Sequence, residues 1–127
     1  MGALGLGLPE REASPRRAEL ASTTAWPQHV AVAGDLTCVR LTDGTVECAG
    51  DNAFGALGRD PASPYGTFFE RAELFAEHAV KVAATTHTVC ALVRDGSVAC
   101  WGSNAHGELG QGTTDTDPHP SPVRVRF

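Results

Sequence analysis

The strongest constraint on the fold of this chain is an internal repeat. Residues 37–58 align without a gap to residues 89–110, so paired residues are 52 positions apart throughout. About half of the paired positions are identical, which chance does not explain. A period of roughly fifty residues is typical of propellers and solenoids, in which each repeat is one supersecondary unit that needs neighbours to cover its faces. We therefore expect two copies of one unit lying side by side.

Each copy contains a predicted β-hairpin. Short runs of β-branched and small apolar residues flank an Asp-Gly pair, at Asp43-Gly44 and again at Asp95-Gly96. This is a hairpin signature, and a glycine in the left-handed position of a three-residue loop fixes the strand partners by counting outward from the turn. The count places two cysteine pairs opposite each other: Cys38 with Cys48, and Cys90 with Cys100.

The two hairpins differ in the polarity of their faces. In the second hairpin, residues 89–93 and 98–101 put apolar side chains on both faces, so we expect a cover on both sides. In the first hairpin, Arg40 and Glu47 interrupt the apolar pattern, one on each face. We therefore expect the first hairpin to be the more exposed of the two.

Further strands are predicted around each hairpin. Residues 30–33 and 80–83 precede the hairpins as candidate strands, and residues 122–127 alternate apolar and basic side chains, as suits an edge strand. Residues 52–58 and 104–110 share an Asn…Gly…Leu-Gly pattern that predicts a compact loop with positive backbone dihedral angles. Each repeat is thus three or four short strands and a Gly-rich loop.

The remaining segments complete the predicted organisation. Residues 1–25 mix Gly, Pro, Ala, Glu, Arg and Ser with no period, which indicates a disordered lead or linker. Residues 26–127 form the two-repeat module. Between the repeats, residues 68–78 are predicted to form a short helical turn that packs Phe69, Leu74 and Phe75. The predicted class is all-β.

Composition excludes some partners. Ten Lys+Arg against fifteen Asp+Glu give a formal charge of −5 and a pI near 5.4, which disfavours a grip on nucleic-acid phosphates. The apolar stretch at residues 4–8 is interrupted by glycines and stops at Pro9, so no membrane span is predicted. The same stretch lacks a basic lead and a long apolar centre, and is a poor secretory signal.

The four cysteines allow three explanations. Facing positions on adjacent strands can approach the β-carbon separation that a disulfide needs. The alternatives are reduced, buried thiols, or zinc, which the absence of any C-x-x-C knuckle disfavours. Bridged cysteines would predict a secreted or extracytoplasmic protein, and reduced ones a cytoplasmic protein.

No catalytic constellation stands out. A Cys–His nucleophile would join His87 to Cys90, but three residues along a strand point the two side chains to opposite faces. Asp43 and Asp95 have an obvious duty in their turns. The glycines at 102, 107, 110 and 112 lack the Lys and Ser/Thr of a phosphate-binding loop. We expect no cofactor, no metal and no enzyme activity.

Over twenty positions carry a family resemblance. The pattern Cys90-Ala91-Leu92, Asp95-Gly96, Cys100-Trp101-Gly102, Asn104, Gly107 and Leu109-Gly110-Gln111-Gly112 resembles the repeat of the regulator of chromosome condensation family, in its Cys-rich bacterial form. The resemblance covers residues 26–127, with Ala49 where the family's Trp would stand in the first copy. It implies a β-propeller of about seven radial, four-stranded blades, of which this chain supplies about two, open and incomplete. Two blades alone leave apolar faces exposed, so we expect a fragment of a larger ring or self-association.

The resemblance places function in the loops, because propeller strands are scaffold. Candidate partner-binding residues are those that differ between matching loops: Phe54 and His106, and Arg59 and Gln111 just beyond. The expected function is a non-enzymatic module that recognises an unknown protein through rim loops. The alternatives are a structural blade unit of a secreted or envelope-bound assembly, and a propeller that inhibits an enzyme, as a bacterial inhibitor of β-lactamases with this architecture does.

Overall fold

The protein is all-β and forms two antiparallel sheets. The computed structural model describes residues 19–59 and 65–125. Each sheet has four strands in sequential order. The first sheet contains β1 (Pro27–Ala33), β2 (Leu36–Leu41), β3 (Val46–Asp51) and β4 (Tyr65–Arg71), and the second contains β5 (Ala79–Ala84), β6 (Thr88–Val93), β7 (Val98–Asn104) and β8 (Asp115–Arg124).

The central hairpin of each sheet has the predicted register. Gly44 has φ = +83°, its N–H donates to the Leu41 carbonyl at 2.9 Å, and the Leu41 N–H donates to Thr45 O at 2.9 Å. The Asp43 carboxylate accepts from the backbone N–H and the hydroxyl of Thr45 at 3.0 and 2.7 Å. These two bonds, the hydroxyl's first, lower the pKa of Asp43. The turn therefore fixes the strand pairing locally.

The predicted helical turn at residues 68–78 is wrong. Residues 65–71 form β4, in which Glu70 pairs with Cys48 and Arg71 pairs with Glu47. Exposure alternates along this strand, because Phe68 is exposed and Phe69 is buried. β4 completes the first sheet by satisfying the outer backbone groups of β3. A turn follows in which Phe75 is buried, as predicted, but Leu74 is exposed.

The last strand is an edge strand, as predicted, but it is longer. β8 begins at Asp115 rather than Pro122 and carries three prolines. An edge position tolerates proline, because the outer N–H groups of an edge strand have no strand to bond. The strand ends at Arg124, and Phe127 lies outside the described residues.

The main core lies between the two sheets. The face of the first sheet that carries Cys38 and Cys48 packs on the face of the second sheet that carries Ala91 and Trp101. The Trp101 ring stacks on Phe75 with centroids 5.2 Å apart, and both side chains are buried. This is the cover that a repeat unit requires from its neighbour.

The expectation that the first hairpin is the more exposed is wrong. Arg40 reaches the second sheet, where its Nε donates to the Ala79 carbonyl at 2.9 Å. Glu47 is 2% exposed, and its carboxylate accepts the backbone N–H groups of Ala21 and Ser22 at 2.7 and 2.8 Å. Both charged side chains therefore make specific contacts on their faces instead of opening them to solvent.

Within residues 19–59 and 65–125, the second hairpin is covered on one face only. Trp101 and its neighbours are buried against the first sheet, whereas Leu92, on the opposite face, is 37% exposed. The prediction of a cover on both sides is thus met on one side by the residues that the structure describes.

The segment predicted to be a linker lies partly outside the described residues. Residues 1–18 are not described. Of the rest, Leu20 and Ala25 pack against a second small core of Val39, Leu41, Ala49 and Phe69 on the outer face of the first sheet. Across residues 19–59 and 65–125, no helix is long and apolar enough to cross a membrane.

Candidate binding surface

Each sheet contains one disulfide, between its two central strands. Cys38 is bonded to Cys48 and Cys90 to Cys100, with Cα atoms 4.1 Å apart in each pair. This is the pairing that the hairpin register predicts. Two disulfides suggest an oxidising environment. They also exclude Cys90 as a free thiolate nucleophile.

The Gly-rich loop after β3 is held by its own asparagine. The side-chain oxygen of Asn52 accepts the Leu57 N–H at 3.0 Å, and the equivalent Asn104 accepts the Leu109 N–H at 3.2 Å in the second sheet. Gly55 has φ = +81°, in agreement with the predicted positive dihedral angles. Both loops therefore present their remaining residues on a fixed backbone.

The first loop packs against the second sheet. The Trp101 Nε1 donates to the Ala56 carbonyl at 2.9 Å, and the His119 N–H donates to the Phe54 carbonyl at 3.0 Å. The Phe54 ring contacts the His87 ring at a tilt of 54°, with centroids 5.0 Å apart. Phe54, a predicted partner-binding residue, thus contributes to the contact between the sheets.

Two more of the predicted partner-binding residues, Arg59 and Gln111, each contact the fourth strand of their own sheet. Arg59 forms a salt bridge with Glu70 of β4 at 2.6 Å, and its side chain is only 15% exposed. Gln111 donates from Nε2 to the Leu109 carbonyl at 3.1 Å and to the Arg124 carbonyl. Both side chains therefore make contacts within their own sheets.

His106 is the most accessible of the four predicted residues. Its side chain is 87% exposed, and its backbone N–H donates to the Glu108 carboxylate at 2.7 Å. Burial raises the pKa of Glu108, but this hydrogen bond and the nearby imidazole outweigh burial and lower the pKa. The loop thus offers an imidazole beside a carboxylate. The neighbouring Ala105 is exposed as well.

His87 lies directly before β6, and its Nδ1 is 3.3 Å from the Asp51 carboxylate of the first sheet. It therefore links the two sheets. Within the described ranges, no group of three His, Cys, Asp or Glu side chains is placed to hold a metal ion.

The outer face of the second sheet is apolar and shallowly grooved. A groove of about 260 Å³ is lined by side chains of the β5–β7 strands and by His29. Its members include Lys81, Cys90, Leu92 and Val98.

The sequence prediction missed the contacts that Arg40 makes with the second sheet and that Glu47 makes with residues 21 and 22. The signal for them was a charged residue at a position that is apolar in the other repeat.

Two family models match the second half of the chain. Both are described as the regulator of chromosome condensation (RCC1) repeat, and they cover residues 79–108 and 95–127. The second sheet is an RCC1 repeat. The first sheet repeats its topology and, over residues 37–58, its sequence pattern.

Known proteins with RCC1 repeats resemble the chain in sequence and in fold. The human X-linked retinitis pigmentosa GTPase regulator is 33% identical over 75 residues, which are 58% of this chain and 7% of that protein. Human WBSCR16 superposes on 99% of this chain and 32% of its own length, with a TM-score of 0.80 at 21% identity, which shows the fold. Yeast Prp20p, from a structure titled for its binding to Gsp1p and histones, superposes on 77% of this chain and 25% of its own length, with a TM-score of 0.62 at 29% identity.

These comparisons define the architecture. The two sheets are two blades of an RCC1-type β-propeller, and the array is open. The chain spans about a third or less of the solved structures that it matches.

Proposed function

We propose that this chain is a non-enzymatic protein-binding module, part of a larger RCC1-type propeller that recognises a protein partner through loops at one edge of its blades. Solved relatives are protein binders by their titles: Prp20p with Gsp1p and histones, and the same yeast protein with Kap60. Because the chain covers a quarter of those relatives, their particular partners are not assigned to it.

The observation that carries the proposal is an accessible loop tip on a fixed backbone. Ala53 is exposed although the second sheet packs on the rest of its loop, and Ala105 and His106 are exposed at the equivalent tip. Loop tips of this kind stay open to solvent when blades pack together. A preorganised loop loses little conformational entropy on binding, which favours recognition.

The proposal also includes a cellular location for the protein. Two disulfides in a chain of 127 residues fit a secreted or extracytoplasmic location, because reducing compartments keep thiols free.

Site-directed photo-crosslinking tests the proposal. A photo-reactive residue at position 105 is expected to capture one predominant protein, whereas the same residue at Glu73, exposed in the turn after β4, is not. The captured protein, once purified, should bind the Ala105→Glu variant at least about five-fold more weakly, the loss expected for a contact worth about 1 kcal/mol. Identical crosslinks from positions 105 and 73 would refute recognition through the loops.

A further inference from the structure

Three of the five histidines lie at one end of the two sheets. The β1–β2, β3–β4, β5–β6 and β7–β8 connections all occur at this end, because both sheets are antiparallel with their strands in sequential order. We call it the loop rim, and it consists of residues 34–35, 51–59, 85–87 and 104–119, including both loop tips. Its histidines are His87, His106 and His119, whereas His29 in β1 and His78 before β5 lie elsewhere.

Each histidine of the loop rim faces a carboxylate. The nitrogen-to-oxygen distances are 3.3 Å for His87 and Asp51, 3.8 Å for His106 and Glu108, and 2.6 Å for His119 and Asp115. Histidine is the side chain whose charge ordinarily changes between pH 5 and 8, and a neighbouring carboxylate favours its charged form. The loop rim therefore gains up to three positive charges as the pH falls through this interval.

Two of these carboxylates stay ionised over the same interval. The hydrogen bond from the His119 side chain, followed by the one from Asn104, lowers the pKa of Asp115 below its ordinary 3.8. Burial raises the pKa of Glu108, but the N–H of residue 106 and the nearby imidazole outweigh burial and hold this pKa below 4.5. Acid therefore changes the charge of these pairs through their imidazoles and not through their carboxylates.

The rest of the loop rim is acidic. Its other carboxylates belong to Asp35 and Asp117, and its one described arginine, Arg59, is paired with Glu70. Among the described residues, the arginines at strand ends lie at the opposite end of the sheets, at positions 71, 94 and 124. At neutral pH the loop rim is thus a negatively charged surface around two uncharged alanine tips, and its electrostatic complement is a surface with basic side chains.

We propose that recognition through the loop rim is pH-sensitive: a partner that presents basic side chains binds at neutral pH, and protonation of His87, His106 and His119 weakens the complex in acid. The inference rests on the proposed function and adds the charge of the partner and the regulation of the same surface. Imidazolium groups repel the basic side chains of the partner and compete with them for the carboxylates. The alanines at the tips are uncharged and contribute nothing to the pH dependence.

Octalysine tests the charge argument, because lysine stays charged at both pH 5.5 and pH 7.5. A rhodamine-labelled octalysine peptide is titrated with the full chain at low ionic strength, and its fluorescence anisotropy gives the Kd. We expect the Kd at pH 5.5 to be about three-fold or more above that at pH 7.5, since each of three exposed pairs changes the affinity by about 1.4-fold or more. At pH 7.5, Asp117→Asn on the loop rim should weaken binding more than Glu73→Gln in the turn after β4.

Histidine variants assign the pH dependence to the loop rim. The triple variant His87→Asn, His106→Asn and His119→Gln should bind octalysine equally at the two pH values. The control variant His29→Gln and His78→Gln should keep the full difference. The double variant His106→Asn and His119→Gln keeps the contact of His87 between the sheets and should show a smaller difference than the unmodified chain, so the test does not depend on the folding of the triple variant.

Two results overturn the proposal: an equal Kd at both pH values for the unmodified chain, or a difference that the triple variant keeps. Photo-crosslinking from position 105 at both pH values separates the proposal from the proposed function. Capture at pH 7.5 that is lost at pH 5.5 supports both. Equal or stronger capture at pH 5.5 overturns the pH regulation and leaves recognition through the loops intact. Capture at neither pH refutes that recognition, and the octalysine titration then decides the charge argument by itself.

Discussion

Two equivalent glycines allow the contact between the blades to be measured against an internal control. Gly55 and Gly107 lie in matching loops with φ = +81° and +77°. Alanine at either position is strained by the left-handed backbone, at about 1–2 kcal/mol. At Gly55 the added methyl would also lie 2.7 Å from the backbone nitrogen and 2.9 Å from the Cα of Pro120, in a strand of the other sheet.

The contact with Pro120 makes the expected loss of stability larger for Gly55→Ala than for Gly107→Ala. Overpacking against a backbone that cannot easily move costs about 1–3 kcal/mol. We expect Gly107→Ala to lose about 1–2 kcal/mol of unfolding free energy and Gly55→Ala about 2–5 kcal/mol, the sum of the two terms. For a domain of this size, the difference corresponds to a melting temperature lower by at least about 4 °C for Gly55→Ala.

Urea and thermal unfolding of both variants, followed by far-UV circular dichroism without reductant, measures this difference. The reasoning would be refuted if the two variants lost the same unfolding free energy to within about 0.5 kcal/mol. Free-energy changes of independent mutations agree with each other to about that level. In that case the loop of the first blade would not pack on β8 in solution.

Three more perturbations follow from named contacts. Trp101→Phe should destabilise the chain by about 1–3 kcal/mol in urea unfolding, because the buried Ala56 carbonyl loses its donor; an unchanged midpoint would contradict the contact. Replacing Cys90 and Cys100 together by Ala should cost up to about 3 kcal/mol for a loop closed at a separation of 10 residues, and the unmodified protein should show no free thiol at these positions without reductant. The hydrogen bond from the histidine four residues further along lowers the pKa of Asp115 below its ordinary 3.8, so its stabilisation is present above that value and is lost as the pH falls through the folded pKa. Asp115→Asn should therefore flatten the acid side of the stability profile as the pH falls below 3.8, and an unaltered profile would show that the pair contributes nothing.

The sequence predicted the hairpins because their information is local. Asp43-Gly44 sets both the turn type and the register, since a left-handed glycine and a side-chain acceptor two residues before Thr45 act within five residues of chain. Once the register is set, the facing cysteines follow by counting. The same reasoning applied to the Asn…Gly loops, whose backbone is held by Asn52 and Asn104.

The errors arose where the deciding partner lies far away in the chain. β4 pairs with β3 across the connection of residues 52–64, which is longer than a tight hairpin turn, so Phe68 and Phe69 carried no hairpin signal. Glu47 finds its donors 25 and 26 residues earlier in the chain, and Arg40 finds its acceptor 39 residues later. In an isolated strand these charges indicate exposure, and only the position of the neighbouring segment shows that Glu47 is buried and Arg40 partly buried in specific contacts.

A comparison of the two repeats separates the residues that build a blade from those that join blades. Positions identical in both copies serve the blade itself: Asn52 and Asn104 hold their own loops by the same bond. Some positions that differ lie at contacts with a neighbour, as Trp101 does where the first copy has Ala49. Glu47 differs from its counterpart for the same reason, because it meets residues 21 and 22 rather than another blade. Two copies of one sequence unit thus have different surroundings, and the substitutions between the copies follow those surroundings. A blade that packs on a neighbour as the second sheet does should therefore resemble the second copy at the positions of Ala99 and Trp101, and both copies at the position of Asn52.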